Sequence, residues 1–450
     1  MVLRCASDEN SHFVEKVAQL DPSLELCRLV LVELGKSLKR PQGKAFTAGE
    51  AIVTALREAE EADAAADGDS PDAHHWRNAA AHAAILDFQC NVRHSSPPLW
   101  EEMRTELVGE IFSLERTAAC ARSEDASVRS FVNTACRWGE LLLGETDSSA
   151  RVDTRAQLAR AALLELQLYG DDTGLRALVE AAESNAAVLE LVRAVVGTQD
   201  AAVAAQAACR LAPLLRNRDL EGDAVPALFA RIAGLVGTFS FAQEHAGNAD
   251  YDSHRRAALL SLADMVDLGS LKFGGRAACL ALGAAGSKPA RPETPLMLHA
   301  RAVLLRHVVE GHGHASTSAP AAVSAALRSL EADLVLACQA TDPSSEAYAL
   351  LLHAAEELAR CTQSLLRFAA VFRHHVASLL AHHITACYVS SLPRDARRAL
   401  DAAAFHLLDL CTEHELQQLH AVLGGGRGGG RREALRVLRE AHARKAVFVF

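Results

Sequence analysis

Aromatic side chains are scarce in this 450-residue sequence, at 5%, and alternating runs of Val, Ile, Thr and aromatics are almost missing. Strands draw on those residue types, so the composition argues against a sheet-based domain. A CxxC pair is also lacking. The eleven cysteines are scattered from Cys5 to Cys411, a pattern that fits buried free thiols in a reducing compartment. No apolar core follows Met1 within the first residues, and no uninterrupted apolar run reaches the roughly 18 residues of a span, so neither a secretory leader nor a membrane helix is expected. No GxxxxGK[ST] loop, no GxGxxG after a strand and no GxSxG elbow occurs. Carboxylates fall on polar helix faces, as at Glu58, Glu60 and Glu61, and none makes an acid/base pair. The expectation is therefore a chain that is not an enzyme, with no catalytic residue, no cofactor-binding residue, no cofactor and no small-molecule substrate.

What the sequence does hold is Ala and Leu. Half of the residues are apolar, and these two dominate that half. Both are strong helix formers because they lose little side-chain entropy in a helix. Apolar residues recur every three or four positions and are separated by short polar breaks. The spacing predicts helices at 24–38, 45–62, 74–91, 100–121, 126–145, 152–169, 173–182, 185–196, 201–215 and 224–236, with a loop at 63–73. The middle breaks at 170–172, 183–185, 197–200 and 217–219 each supply an Asp, Ser or Asn suited to cap the next helix. Segment 283–295 holds three prolines and cannot continue a helix. Helices of this length with loops this short suit stacked antiparallel pairs. The expected fold is all-α, an α-solenoid-like array of antiparallel helix pairs resembling armadillo or HEAT superhelices, although no recurring motif fixes a named repeat class. The expected organisation is N-terminal helices at 1–62, a flexible loop at 63–73, a helical-repeat region at 74–282, a loop-rich linker with one helix at 283–320, and a C-terminal helical domain at 321–450 with a Gly-rich insertion at 424–430.

The twenty histidines invite a metal reading. His414 and His420 are six apart, about 240° round a helix, and cannot serve one metal from one face. His75 with His82, and His375 with His382, are seven apart and share a face, but no Cys or carboxylate falls beside them at a metal-like spacing. His312 and His314 lie in a loop. No metal ligand is nominated.

Charge is uneven. Residues 367–450 carry 12 Lys/Arg against 7 Asp/Glu, while the remainder is strongly acidic. Basic residues concentrate after the glycine tract: Arg427, Arg431, Arg432, Arg436, Arg439, Arg444 and Lys445. Arg432, Arg436 and Arg439 fall within about 60° on a helical wheel, opposite a stripe of Ala434, Leu438 and Ala441 with Leu435 at its edge. This amphipathic basic helix suits RNA phosphate, an acidic partner surface, or solvent alone.

Upstream, Leu400, Ala404, Leu407 and Cys411 form one apolar stripe. Thr412, Glu413, His414 and Glu415 form a capping box, in which the Thr hydroxyl accepts from the Glu415 N–H and the Glu415 carboxylate reaches back. Leu416, Leu419 and Leu423 give the next helix its apolar face. Two antiparallel helices with almost no linker are predicted. The segment from Phe372 to Leu423 resembles the carboxy-terminal domain of the unhealthy ribosome biogenesis protein 2 family, also called nucleolar pre-ribosomal-associated protein 2. The likeness centres on Leu407, Asp409, Thr412, Glu413, His414, Glu415, Leu416, Leu419 and His420. After Leu423 the sequence departs from that pattern: glycines are inserted, and Arg439, His442 and Arg444 stand where relatives tend to carry aromatics and lysines. Family members are large, so a short or partial version is expected here. The resemblance implies a non-catalytic scaffold in the nucleus and nucleolus, acting in pre-rRNA processing and early pre-60S assembly. Its implied partners are other ribosome-assembly factors, and pre-rRNA through the basic C-terminal helix, with no membrane. Two rival readings are a helical-repeat adaptor in transport or signalling and a metal-dependent enzyme built on the histidine clusters.

Overall fold

The computed structural model describes residues 79–92, 120–122, 126–143, 149–241 apart from 183, 217, 219 and 221, 249–287 apart from 269, 270 and 272, 292–388, 391–424 and 429–447. The expected helices at 24–38 and 45–62, the loop at 63–73 and most of the helix at 100–121 lie outside the described residues. The described residues are all-α, with no strand among them. The chain divides into two compact units, residues 1–203 and 204–450.

In the first unit the helices are α1 (Ala79–Val92), α2 (Ala126–Leu143), α3 (Ser149–Tyr169), α4 (Thr173–Ala181) and α5 (Asn185–Gly197). Helix α2 packs on α1, α3 and α4, and α3 packs on α4 and α5. The caps are those the breaks supplied. Ser184 Oγ accepts from Ala187 N at 3.2 Å, and Asp200 Oδ1 accepts from Ala202 N and Val203 N at 2.8 and 3.0 Å. At the Gly170 break the side chain that accepts is Asp171, from Thr173 N at 3.0 Å, rather than Asp172. Gly170 itself sits at φ 68°, a left-handed residue that ends α3 at little steric cost.

Helix α6 (Ala201–Leu215) carries the boundary, and the second unit continues with α7 (Ala224–Phe241), α8 (Ala249–Val266), α9 (Gly275–Gly286), α10 (Pro295–Gly311), the single turn α11 (Gly313–Ser316), α12 (Pro320–Ala340), α13 (Glu346–Leu365), α14 (Ala369–His383), α15 (Arg394–Leu410), α16 (Glu413–Gly424) and α17 (Gly429–Val447). Pro295 and Pro320 each stand at a helix start, where a missing N–H costs nothing. A 3₁₀ turn at Leu366–Phe368 and a wide π turn at Ile384–Tyr388 bracket α14.

Contacts in this unit fall into two interlocking rows. Helices pair as α7/α8, α9/α10, α12/α13, α14/α15 and α16/α17; α7, α9, α12, α14 and α16 stack in one row, and α8, α10, α13, α15 and α17 in the other. Each row buries leucines and alanines, among them Leu282, Leu304, Leu334, Leu351, Leu379 and Leu400. Each leucine so placed contributes about 1.5–3 kcal/mol. The two-residue link Cys411–Thr412 is as short as expected, yet α16 packs chiefly on α14. The extended backbone of Cys411, φ −74° and ψ 129°, sends the chain across to the other row instead of folding it back on α15.

Two polar networks run through this apolar stack, both anchored on α12. On one side Arg301, fully buried on α10, donates to Asp333 Oδ2 at 2.8 Å, Ser329 Oγ at 3.0 Å and Ala285 O at 2.7 Å, and ion-pairs with Glu293. Glu293 also pairs with Arg255 of α8, which donates to Ser287 O at 3.0 Å. Buried charges hold only when paired and hydrogen-bonded, and here one carboxylate bridges two guanidinium groups. On the other side Glu331 meets His383 of α14, which in turn meets Asp401 of α15.

A candidate interface and a buried histidine centre

Helix α17 forms as the wheel predicts. Ala434, Leu435 and Leu438 are buried, while Arg431, Arg432, Arg436, Arg439 and Arg444 are exposed. The arginines are not equivalent. Arg436 is held between Glu433 Oε1, at 2.5 Å from Nη2, and Glu440, and Arg444 Nε donates to Glu440 O at 3.2 Å. Arg431, Arg432 and Arg439 have no ion-pair partner among the described residues. A groove between α16 and α17 is lined by His420, Arg432, Arg436 and Arg439 together with Glu433 and Glu440. Arg427 and the side chain of Lys445 lie outside the described residues.

The residues that carried the family likeness build the support for this face. Leu407 and Leu419 are buried, and Leu416 is half-buried. Asp409 Oδ1 lies 2.8 Å from His442 Nε2, tying α15 to α17, and the His442 ring also meets Phe405 at 5.6 Å between centroids. In the capping box the Glu415 carboxylate does reach back, accepting from Thr412 N at 2.9 Å. The Thr412 hydroxyl donates to that carboxylate as well, rather than accepting from the Glu415 N–H. Those bonds to Thr412 hold the Glu415 carboxyl below its usual range. Glu413, His414 and His420 are exposed, and His414 Nε2 lies 2.9 Å from Gln418 Nε2.

A second polar centre was not legible from sequence. His383, fully buried at the end of α14, places Nδ1 2.5 Å from Glu331 Oε1 and Nε2 3.0 Å from Asp401 Oδ1. Cys387 Sγ is 3.6 Å from the same Nδ1, and Tyr388 donates to Asp401 Oδ2 at 3.1 Å. Arg397 stacks 5.4 Å above the Tyr388 ring. Burial opposes a charge on His383, but Cys387, Glu331 and the bond to Asp401 outweigh it and hold the imidazole well above its usual pKa. Burial pushes the Cys387 thiol up, while His383 pulls it down. Glu331, His383 and Cys387 converge closely enough to hold a metal ion. The imidazole here is that of His383, outside the His375 and His382 pair that shares a helix face. Cys387 follows His383 by four residues, and Glu331 arrives from α12, 52 residues upstream. The signal was a histidine on an apolar stripe: Val376, Leu380, His383 and Cys387 follow each other at three- and four-residue steps.

Part of this region is similar to a known family. Residues 291–443 match the Urb2/Npa2 family. The match covers α10 to α17, and so includes the Arg301 network from Glu293 onward, the His383 centre and most of the basic helix. No curated protein and no solved structure matches the chain. The Urb2/Npa2 region implies a role in ribosome biogenesis. No helix among the described residues is long and apolar enough to cross a membrane.

Proposed function

We propose that the protein is a non-catalytic helical scaffold of large-subunit ribosome biogenesis, working in the nucleolus during pre-rRNA processing and early pre-60S assembly. The observation that carries this reading is the Urb2/Npa2 match over a stack whose last helix turns unpaired arginines outward. The stacked rows present long helix faces to assembly factors, the use to which helical solenoids are suited. Arg431, Arg432 and Arg439 would meet pre-rRNA phosphates, with the tied Arg436 contributing less because its charge is already matched.

Sedimentation of tagged protein tests the first part. Co-migration with pre-60S particles and nucleolar staining are expected; a cytosolic location with non-ribosomal partners would remove the reading in favour of an adaptor elsewhere. RNA crosslinking in cells with peptide mapping tests the second part, with signal expected between Arg431 and Arg444. Replacing Arg431, Arg432 and Arg439 together by Gln should lower the salt dependence of RNA binding by about two to three phosphate contacts' worth. An unchanged slope would show that this face does not touch phosphate.

A further inference from the structure

The His383 centre has more donors than a buried hydrogen-bond cluster needs. Its parts come from α12, the end of α14, the π turn and α15. Helix α17 packs against that same turn. A π turn in an otherwise α-helical stretch often marks a functional position, and here it places Cys387 Sγ beside His383 Nδ1.

We propose that Glu331, His383 and Cys387 form a structural site for a zinc-class divalent ion, with Asp401 as the positioning residue that orients the imidazole. The donor set fits the chemistry: one thiolate, one imidazole nitrogen and one carboxylate oxygen are all zinc ligands. The three donor atoms lie within 4.8 Å of one another. The 3.6 Å between Nδ1 and Sγ matches the roughly 3.5 Å ligand separation of a tetrahedral ion with bonds of about 2.0–2.3 Å. Nδ1 and Glu331 Oε1, 2.5 Å apart in their hydrogen bond, would part to the wider ligand separation on binding the ion.

The opposite ring nitrogen supplies independent support. Metal-bound histidines commonly donate their second N–H to a carboxylate, which fixes the tautomer and ring orientation. His383 Nε2 does this to Asp401 at 3.0 Å, and Asp401 is itself held by Tyr388. His382 Nε2, with no hydrogen-bond partner among the described residues, lies 3.9 Å from Glu331 Oε2.

Metal and proton are competing occupants. Without metal, Nδ1–H points at Glu331 and Cys387 is a thiol. On binding, the dication bonds to Nδ1, Sγ and the Glu331 oxygen, and the protons of Nδ1 and Sγ leave to solvent. Two unit charges depart and one double charge arrives, so the buried net charge is unchanged and desolvation does not oppose the exchange. The bound ion joins the third and fourth helix pairs at one point, in the turn on which α17 packs.

The test uses the full chain, stripped with chelator and titrated with Co²⁺, a zinc surrogate with visible ligand-field bands and a near-ultraviolet thiolate-to-cobalt band. One cobalt per chain with the thiolate band is expected, displaced by Zn²⁺ with release of protons. Cys387→Ser should abolish the thiolate band, and Glu331→Gln should weaken cobalt binding at least tenfold and shift the ligand-field bands. Cys209→Ser and Cys279→Ser, at exposed thiols, should change neither. Helical circular dichroism of each variant shows whether it has folded. Absence of a thiolate band in the folded parent overturns the proposal. So does a band that survives in folded Cys387→Ser, or one that disappears only with the exposed cysteines.

Discussion

Glu165 in the first unit and Glu293 in the second are both buried acids, yet their surroundings differ. Glu293 lies between Arg255 and Arg301, and the charge is passed on through Arg301 to Asp333. Glu165 has Arg129 at 3.8 Å and no hydrogen-bond partner for either oxygen among the described residues. Asn133 Oδ1, similarly unpartnered, faces the same spot beside Gly174. One region therefore buries its carboxylates against guanidinium groups in a network, and the other buries one whose pKa is raised by burial. The networked region is the one that matches the Urb2/Npa2 family. There the charges span three helix pairs and fix which helix lies against which, whereas Glu165 joins only neighbouring helices.

The largest effect should come from breaking the network. Arg301→Ala leaves Glu293 sharing only Arg255 and leaves Asp333 without its guanidinium. Removing one partner of a buried pair costs about 3–5 kcal/mol because the other charge stays behind. Urea unfolding followed by circular dichroism should show that loss. A loss under about 1 kcal/mol would mean that water reaches the site and the contrast with Glu165 is false.

In the first unit Gly174 lies against the two unpartnered oxygens. A Cβ there would lie 2.9 Å from Asn133 Oδ1 and 3.0 Å from Glu165 Oε2. Neither neighbour is the free end of an exposed chain, so Gly174→Ala should destabilise by about 1–3 kcal/mol, as overpacking does. A thermal scan that finds the variant as stable as the parent would show that the two oxygens have room to separate.

Local devices, by contrast, should cost the same in both regions. Ser184→Ala removes the α5 cap, and Thr412→Ala removes the hydroxyl that binds Glu415 at the start of α16. Each should lose about 1 kcal/mol. If the Thr412 variant loses several times more than the Ser184 variant, the capping box does more than start a helix.

That division also explains what could be read in the sequence. Caps, helix limits and the basic stripe of α17 depend on residues three or four positions apart, and Ser184, Asp200, Leu419 and Arg432 all stand where periodicity put them. The networks depend on residues such as Arg301 with Asp333, or Glu331 with His383, separated by 32 and 52 positions. Their pairing follows from which helix stacks on which, and no local period encodes that. A trace was nevertheless present. Arg301 lies among Met297, Leu298, Leu304 and Leu305, Glu165 lies on the stripe of Leu158 and Ala162, and His383 follows Leu379 and Leu380. A charged side chain in an apolar row is a request for a distant partner, even when the partner cannot be named.

The sharpest test of the comparison is the pH dependence of Glu165→Gln. Burial and then Asp171 push the Glu165 pKa up to about 7, with Arg129 pulling the other way. The folded state therefore holds a proton that the unfolded chain releases near its ordinary value of 4.5. Stability from this group is complete below the unfolded value, falls as pH rises through the folded one, and is level above it. Gln keeps the shape and a donor while removing the titration. The variant should match the parent near pH 4.5 and melt at a higher temperature than the parent at pH 8, with a flatter dependence between. Melting curves for the two proteins that stay parallel across this range would show that Glu165 is ionised throughout. The first unit would then hold its buried charge by pairing, as the second does.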